Sequence, residues 1–462
     1  MALLKILFFA LGAAAGTTNY RKCAIDTDVA IIGGGGSGAY AAVRLREDFG
    51  KKIVVVEKEN RLGGHTQAWY DPVTGEAFDY GVEAFTNITA STEFFARFNV
   101  AVRAPDFSQS QTLYADFENG KTVNYTPPSS EEATAAMGRY REQWHKYGGL
   151  MLPTSSGFPA GDDIPEDLLL TWDEFARKFD LEAASPMIWN TVGVDLKAAL
   201  MIDVWKAYYP TLTGFQPASG DNSEIFQKAA QLLGNDVLYE SEVVWAKRSN
   251  GGVRLRAKSK DGNTTEINAK RLLVSIGPET LKPGVFDLDD EELAVFSSTT
   301  GSRYYTGIVS HPSLPAQQVA NVVPEAMAAN YLAYPTVPFL AGFKYKGNSS
   351  TGPVYRSLVV APSDMNPEDA KSIVRSSLQN LMDTGTVPAG DANQLDFKAF
   401  ADHGIMYRRW SVDQLRGGIA SRANALQGLR STWYTGAYWM NNNAAMLWNT
   451  TDAILPTMLE TI

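Results

Sequence analysis

The sequence predicts an α/β protein built around a nucleotide-binding sheet. Residues 28–57 read as a buried strand, a glycine-rich loop, a helix and a second buried strand that ends in an acid. Two later blocks, at 242–278 and 433–438, return to short apolar strands, so the same sheet is expected to draw strands from distant parts of the chain. The intervening residues mix helical and strand patterns and predict a second, mixed α+β domain.

Composition narrows the classes of protein open to this chain. Its 462 residues are 45% hydrophobic and 20% charged, which is ordinary for a folded chain with a large core. One cysteine excludes an intrachain disulfide, cysteine zinc clusters and thiolate-held iron–sulfur centres. The four histidines lack metal-site spacing, so no metal is expected. A net charge of −10, without a basic stretch that alternates with aromatics, disfavours nucleic acid as a partner.

The N-terminal residues 1–15 predict a secretory signal peptide. One lysine precedes an apolar run of about ten residues and small residues that end in an Ala-x-Ala site. A buried N-terminal helix or strand is the alternative. No later apolar run is long enough for an integral membrane span. On the secretory route, the N-x-S/T sequons become candidate glycosylation sites, and they lie at Asn87, Asn124, Asn263, Asn348 and Asn449. Asn449 lies in a region expected to face the cofactor and is expected to stay unmodified.

The glycine-rich loop carries the nucleotide-binding signature. Gly33, Gly35 and Gly38 fit the pattern G-x-G-x-x-G directly after a β-branched strand, and a small-residue-rich helix is predicted to follow over 39–49. Gly33 permits the tight turn, Gly35 lets the backbone approach a pyrophosphate, and Gly38 lets helix and strand pack closely. Ser37 lies in the same loop, beside the free N–H groups of the helix N-terminus, and completes the candidate phosphate contacts.

The acid that closes the second predicted strand indicates which dinucleotide fits. That strand covers 53–56, and Glu57 follows it, 24 positions after Gly33. A carboxylate here accepts hydrogen bonds from the adenosine ribose hydroxyls and disfavours a 2′-phosphate. NADP, which carries that phosphate, is therefore disfavoured. A glycine-rich loop without a ligand is the alternative. A hydrolase elbow is disfavoured because Ala39 occupies the last glycine position of G-x-S-x-G.

Two segments after the second strand point to a family. Residues 61–66 read RLGGHT and residues 78–85 read FDYGVEAF. They resemble the R-x-G-G segment and the D-x-G turn of the amine oxidase and protoporphyrinogen oxidase superfamily of FAD proteins, in which the turn runs past the isoalloxazine ring. The resemblance implies backbone contacts from Gly63 and Gly64 to the cofactor. His65 stands where many relatives carry arginine and is a candidate phosphate donor, with a local hydrogen-bonding role as the alternative.

A middle block carries the same resemblance. Residues 242–245 and 272–278 resemble the β-meander and final strand of the FAD-binding domain in that superfamily. The resemblance implies that the backbone of Val243, or of Val244, holds the adenine. A turn at 260–263 separates the strands of this block and looks like an exposed hairpin tip, where glycosylation is plausible.

The C-terminal block resembles the same superfamily less completely. Residues 433–438 resemble the strand and loop that close over the flavin, which makes Gly436 a candidate cofactor contact. A helix from about Asn443 is expected to point its N-terminus at the cofactor. Ala437 replaces the acid that relatives usually have after this glycine, and residues 446–448 replace a pair of small residues.

The resemblance implies an α/β fold in which a Rossmann-like FAD-binding domain of the glutathione-reductase type is interleaved with a mixed α+β substrate domain. The expected FAD-binding segments are 24–90, 210–285 and 405–462, and the expected substrate or cap segments are 91–209 and 286–404. Helices of the cap are predicted over 131–147, 172–179, 196–208 and 367–383.

The implied chemistry belongs to FAD. Aromatic residues make up 11% of the chain and are enriched around 188–215, 303–305, 331–345 and 407–448, which suits a hydrophobic substrate. The length, the GGH sequence and the C-terminus resemble fungal flavoproteins of the β-cyclopiazonate dehydrogenase type. We therefore expect an FAD-dependent oxidoreductase that dehydrogenates or oxidatively cyclises a small hydrophobic secondary metabolite by hydride transfer to flavin N5, with O2 as a candidate oxidant.

Other functions remain open at this stage. An amine or amino-acid oxidase, a flavin-dependent isomerase without net redox change, and a flavin-binding protein without catalysis all fit the same motifs. No catalytic side chain is identified by the sequence. Candidates for contact with the substrate lie at 407–410 (YRRW) and at Tyr434, Tyr438 and Trp439, because they flank the strand expected to face the flavin.

Overall fold

The computed structural model describes residues 23–105, 111–192, 196–208 and 214–460. The expected signal peptide at 1–15 lies outside the described residues and stays a prediction. No described helix is both long and apolar enough to cross a membrane. Among the described side chains, no group of histidine, cysteine, aspartate and glutamate is placed to hold a metal ion.

The described chain contains both strands and helices, often in runs of one kind. The strands are β1 (Cys23–Ile32), β2 (Ile53–Val56), β3 (Ala68–Tyr70), β4 (Ala77–Asp79), β5 (Phe85–Thr86), β6 (Val102–Arg103), β7 (Thr112–Ala115), β8 (Gly214–Pro217), β9 (Val237–Leu238), β10 (Ser241–Ser249), β11 (Gly252–Ser259), β12 (Thr264–Val274), β13 (Thr300–Ser310), β14 (Gln318–Asn321), β15 (Phe339–Ser349), β16 (Gly352–Ala361), β17 (Asp396–Arg409) and β18 (Thr432–Tyr434). The helices are α1 (Gly36–Glu47), α2 (Thr89–Arg97), α3 (Ser130–Tyr147), α4 (Trp172–Phe179), α5 (Ser185–Val192), α6 (Met201–Ala207), α7 (Glu224–Leu233), α8 (Asp290–Phe296), α9 (Pro367–Asp383), α10 (Val412–Arg416), α11 (Ile419–Ala425) and α12 (Ala444–Leu459).

The first sheet is the nucleotide-binding sheet that the motifs predict. Its strand order is β10-β11-β12-β1-β2-β9, and β18 also pairs with β12. β1 lies between β12 and β2 and is parallel to both, while β10, β11 and β12 form an antiparallel meander. Val29, Ala30 and Ile31 are fully buried, as expected for a parallel strand covered on both faces. This confirms the α/β fold with a Rossmann-like domain.

The second sheet contributes residues to the wall of the cavity in the candidate site. Its order is β17-β13-β16-β15-β14-β7, and it is antiparallel except for the parallel pair of β14 and β7. α9 packs on β15 and β16 through a buried apolar stripe that includes Val374 and Leu378. The domain boundaries stay a prediction. One of them was expected between residues 404 and 405, and β17 runs across it, because Arg409 still pairs with Thr300 of β13.

In the expected substrate domain, the predicted helix bounds are confirmed where an N-cap residue precedes the helical pattern. α4 and α9 have the predicted bounds, because Thr171 caps the first and Asn366 caps the second. The helix predicted over 196–208 is wrong in its first part, since α6 covers only Met201–Ala207. The physical reason is a β-bridge between Leu200 and Thr171, which holds the chain extended directly before the helix.

Candidate functional site

The glycine-rich loop joins β1 to α1 with little room for side chains. A Cβ added to Gly38 would lie 1.9 Å from the carbonyl oxygen of Gly33, so α1 begins directly against the end of β1. Gly33 has a φ of +94°, which side-chain-bearing residues rarely adopt. A Cβ on Gly35 would meet only the Cα of Gly64, at 3.8 Å. The loop is therefore closed on the sheet side and open above Gly35.

Ser37, in the first turn of α1, carries a hydroxyl without a partner in the described chain. Ser37 Oγ is buried and has no hydrogen-bond partner among the described residues. A Cβ on Gly36 would meet nothing within 4 Å, and the first N–H groups of α1 have no acceptor within the helix. An unpaired buried hydroxyl costs about 1–3 kcal/mol, which a phosphate oxygen would relieve. These donors and the positive end of the helix dipole fit a dinucleotide pyrophosphate.

Gly63 and Gly64 lie opposite the glycine-rich loop. We call the open space between the backbones of 33–38 and 63–64 the phosphate cradle. The Gly63 N–H donates to the Gly34 carbonyl at 2.9 Å, and Gly35 and Gly63 form an isolated parallel bridge. A Cβ on Gly64 would lie 3.0 Å from the Gly35 Cα. Arg61 fixes the loop from within by donating to the Gly64 carbonyl at 2.7 Å. The two glycine segments predicted separately thus lie together.

Glu57 is buried at the end of β2 and faces the glycine loop. Its Oε2 accepts from the Gly34 N–H at 2.6 Å, and its Oε1 accepts from the Glu59 N–H at 2.8 Å. Each oxygen keeps a second lone pair for a ribose hydroxyl. The Ser241 N–H donates to the Glu57 carbonyl, which brings the start of β10 and hence Val243 to the same end of the sheet. The roles of Glu57 and Val243 toward a nucleotide stay predictions.

The C-terminal block returns to the glycine loop as the sequence indicates. Gly436 follows β18 with a φ of +100°, and a Cβ there would lie 2.9 Å from the carbonyl oxygen of Ser275, just past β12. α12 begins at Ala444, and the Asn443 side chain caps it by accepting from the N–H groups of Ala445 and Met446. Gly436 therefore lies at the edge of the nucleotide-binding sheet, and its contact with a cofactor stays a prediction.

Trp448 secures α12 in place of the small residues found in the superfamily. Its side chain is fully buried, and its Nε1–H donates to the Gly36 carbonyl at 2.9 Å. The indole stacks on Tyr40 of α1, with ring centroids 5.3 Å apart, and on Phe85 at 5.7 Å. The departure noted at 446–448 thus adds a direct bond between the C-terminal helix and the glycine loop.

A cavity of about 780 Å³ includes in its wall His65, the residue directly after the cradle glycines Gly63 and Gly64. The turn at 80–86, the α12 entry at 442–444 and the second sheet all contribute to its wall. Its size is that of a site for a drug-sized molecule. Much of the lining is aromatic, and it includes Tyr114, Trp189, Tyr304, Tyr334, Phe339 and Tyr407.

The aromatic candidates from the sequence separate into one cavity residue and several core residues. Tyr407 lines the cavity and has a tilted contact with Tyr304. Tyr434 is buried, and its hydroxyl donates to Glu292 at 2.8 Å. Tyr438 is also buried and donates to the Val295 carbonyl. Neither tyrosine lines the cavity, because each hydroxyl is held by an interior acceptor.

The remaining candidates of the 407–410 segment and Trp439 also lie in the protein interior or in ion pairs. Arg408 forms an ion pair with Glu279. Trp410 is buried and donates through its Nε1–H to Ser298 Oγ at 2.9 Å. Trp439 packs in the core against Tyr434 and Tyr438. None of these described side chains is part of the cavity wall.

His65 and His403 meet where the cradle joins the cavity. Their rings stack with centroids 4.3 Å apart and planes within 4° of parallel. His403 Nε2 lies 2.9 Å from Gln67 Oε1. His403 is buried, and desolvation holds its pKa well below the ordinary value, while the pKa of the more exposed His65 is lowered in the same direction by desolvation against the neighbouring protein and by Lys58 and Arg61. These shifts favour neutral imidazoles, so His65 would donate to a phosphate as a neutral N–H group.

Sequence reasoning missed the charged cluster in the cavity wall. Glu83 forms ion pairs with Lys344 at 2.7 Å, Lys346 at 3.1 Å and Arg356 at 3.1 Å. Burial alone would raise the pKa of Glu83, but the three cations hold it well below its ordinary value. The period of two along β15 was a usable signal for Lys344 and Lys346 on one face. Their approach to Glu83 depends on tertiary pairing.

Comparison with known proteins finds relatives that match nearly the whole length of this chain. Residues 31–99 match the family model of an NAD(P)-binding Rossmann-like domain. The chain is 32% identical to an FAD-dependent oxidoreductase (dbaF) of Emericella nidulans over 460 residues, which cover 95% of this chain and 92% of the relative. It is 28% identical to a β-cyclopiazonate dehydrogenase of Aspergillus oryzae over 446 residues, with 94% and 93% covered.

Solved structures share the fold at low sequence identity. A CLA-producing fatty acid isomerase from P. acnes superposes with a TM-score of 0.72 at 15% identity, covering 93% of this chain and 98% of that one. A cyclohexylamine oxidase from Brevibacterium oxydans gives a TM-score of 0.61 at 16% identity, covering 94% and 99%.

Proposed function

The chain belongs to the family of FAD-dependent oxidoreductases, and from this premise we propose that it dehydrogenates or oxidatively cyclises a small hydrophobic secondary metabolite. It is an enzyme, and its cofactor is FAD. The observation that carries the proposal is the aromatic-lined cavity of about 780 Å³ that adjoins the phosphate cradle. The similarity to a β-cyclopiazonate dehydrogenase of Aspergillus oryzae supports a dehydrogenation.

The residues of the chain divide the work between binding and positioning. Ser37 would hold the pyrophosphate through its hydroxyl and the N-terminus of α1 through backbone N–H groups, while Gly35 and Gly63 would leave room for it by lacking side chains. Bound FAD supplies the acceptor for a hydride from substrate carbon. The aromatic wall, including Tyr304 and Tyr407, excludes water and holds an apolar substrate in one orientation.

Anaerobic flavin reduction tests the proposed reaction. The FAD-loaded full chain is mixed without O2 with a panel of indole alkaloids, amines and unsaturated fatty acids, and loss of the oxidised flavin absorbance is followed. We expect a hydrophobic metabolite to bleach the flavin and O2 to restore its colour, since O2 is the proposed oxidant. Bleaching by simple amines, with peroxide release in air, would favour an amine oxidase instead. A product formed while the flavin stays oxidised throughout would favour an isomerase.

We also propose that the chain enters the secretory pathway. The support is the pattern of residues 1–15 together with four exposed sequon asparagines, of which Asn263 stands at the tip of the hairpin between β11 and β12. Expression in a eukaryotic host with and without residues 1–15 tests this. We expect secretion and a glycosidase-sensitive mass only with the segment, and a smaller mass for Asn263→Gln. Retention of the full chain inside the cell would contradict the proposal.

A further inference from the structure

We propose that the cavity recognises a carbonyl oxygen on its hydrophobic substrate through hydrogen bonds donated by Tyr407 and Asn442. This inference rests on the proposed function, because it names a chemical group on the substrate of the same cavity. Both residues line the cavity. Tyr407 lies near the end of β17 in the second sheet, and Asn442 lies in the entry of α12.

The backbone of Tyr407 has an unusual conformation. Its φ is +48°, in the left-handed region that bulky residues rarely adopt. At the start of β13, Thr300 pairs with Arg409 of β17. Two positions further along β13, Ser302 pairs with Met406, which is three positions back along β17. The extra residue of β17 is a β-bulge, a feature that changes the direction of side chains in a strand.

A hydrogen bond joins the two residues and fixes the orientation of the Asn442 amide. The Tyr407 N–H donates to Asn442 Oδ1 at 2.8 Å. This bond distinguishes the amide oxygen of Asn442 from its nitrogen. The nitrogen has no hydrogen-bond acceptor among the described residues, and it is therefore one open donor at the cavity.

The hydroxyl of Tyr407 is the second open donor. Its ring contacts Tyr304 with centroids 5.4 Å apart, but its hydroxyl has no hydrogen-bond partner in the described parts of the chain. The hydroxyl of Tyr334, in the same wall, is enclosed by protein, whereas that of Tyr407 is not. Desolvation by the surrounding protein raises the pKa of Tyr407 above its ordinary value, so the hydroxyl keeps its proton near pH 7.

Two open donors define the ligand group that fits. A carbonyl oxygen has two lone pairs, so it can accept from both the phenol and the amide. An N–H group on the ligand would leave the amide hydrogens of Asn442 without an acceptor. A site that hydrogen-bonds a polar substrate group rejects an analogue without that group, because the donors are then unpaired. The cavity therefore favours carbonyl compounds among hydrophobic molecules of one shape.

Matched ligands test this inference without turnover. The FAD-loaded full chain is titrated with 2-acetonaphthone and with 2-isopropenylnaphthalene, in which a CH2 group replaces the carbonyl oxygen, and binding is followed through the flavin absorbance. We expect the ketone to bind about fivefold or more tightly, because an unpaired donor carries a cost. Tyr407→Phe keeps the ring and should lower that preference about threefold. Asn442→Asp keeps the acceptor for the Tyr407 N–H but removes the amide donor, and should also lower the preference.

Tyr70 on β3 provides the control for the loss of a hydroxyl. Its hydroxyl donates to Asp221 Oδ2 at 2.9 Å, and Tyr70 is not part of the cavity wall, so Tyr70→Phe should leave both affinities unchanged. A second measurement separates binding from structure. The Tyr407 hydroxyl has no partner within the described chain, so Tyr407→Phe should leave the urea midpoint of the FAD-free chain unchanged.

Four results would overturn the inference. They are equal binding of the two ligands by the wild type, binding of neither, an unchanged preference in Tyr407→Phe, and a loss of stability in that variant. Failure of the chain to bind FAD would instead overturn the proposed function. Flavin bleaching by hydrophobic metabolites, together with equal affinities for the ketone and the alkene, would overturn the inference alone.

Discussion

An alanine series at three glycines separates folding of the site from binding of its cofactor. Gly38→Ala places a Cβ 1.9 Å from the Gly33 carbonyl oxygen and 2.5 Å from Ser275 Oγ, where real contacts stay beyond about 3 Å. The start of α1 must therefore move about 1 Å away from β1. Such overpacking typically costs about 1–3 kcal/mol, and the rigid backbone contact places this variant near 3 kcal/mol. We expect it to lose both stability and FAD.

Gly35→Ala has a different expected result from the same chemical change. Gly35 has a φ of −67°, which alanine adopts freely, and the new methyl group meets no protein atom closer than 3.8 Å. The stability of the FAD-free chain should change by less than about 0.5 kcal/mol. The methyl group instead occupies the cradle where a pyrophosphate would approach. We expect the Kd for FAD to rise about tenfold or more, equivalent to about 1.4 kcal/mol.

Gly138→Ala is the control for the series. Gly138 lies inside α3, and a Cβ there meets nothing within 4 Å. Alanine should stabilise the helix by roughly 0.5–1 kcal/mol and leave the Kd for FAD unchanged. Urea unfolding of the FAD-free variants and fluorescence titration with FAD measure the two quantities. Unchanged FAD affinity in Gly35→Ala, or unchanged stability in Gly38→Ala, would refute the assignment of the cradle.

Three further substitutions test other parts of the structure. Trp448→Phe keeps the ring stack but removes the indole donor, so urea unfolding should show a loss of about 1 kcal/mol; a neutral result would mean that the bond contributes nothing. Glu292→Gln breaks a pair with Arg248 in which both side chains are 1% exposed, and should cost about 3–5 kcal/mol, whereas Glu291→Gln at an exposed pair should be silent. Burial raises the pKa of Asp79 to about 8, so the folded state holds a proton that the unfolded state releases above about pH 4. The contribution of Asp79 to stability should therefore fall from about pH 4 to 8, so the stability of Asp79→Asn relative to the wild type should rise over this range, and parallel pH profiles of the two proteins would contradict this.

The nucleotide-binding half of the fold was predictable from the sequence because its signals are local. Gly33 and Gly38 of the loop stand where a Cβ would collide with neighbouring atoms, and the apolar run at 53–56 forms β2 with the predicted bounds. The prediction at 196–208 failed because a tertiary bridge at Leu200 overrode helical periodicity.

The substrate half of the site was mostly beyond sequence reasoning, because its contacts join distant residues. His65 and His403 stack across more than three hundred positions, and Glu83 meets Lys344 across 261 positions. The role of Trp448 was also beyond prediction from the sequence. A local comparison treats it as a departure from the superfamily, whereas its bond to the Gly36 carbonyl becomes visible only in three dimensions.

Flavin stoichiometry is the measurement that tests the account most directly. The full chain is purified, its visible absorption spectrum is recorded, and the flavin released by denaturation is quantified against protein and identified by chromatography. We expect a yellow protein that releases one FAD per chain, without covalent attachment to its single cysteine. A colourless chain that takes up no added FAD would contradict the assignment of the cradle and, with it, the proposed function.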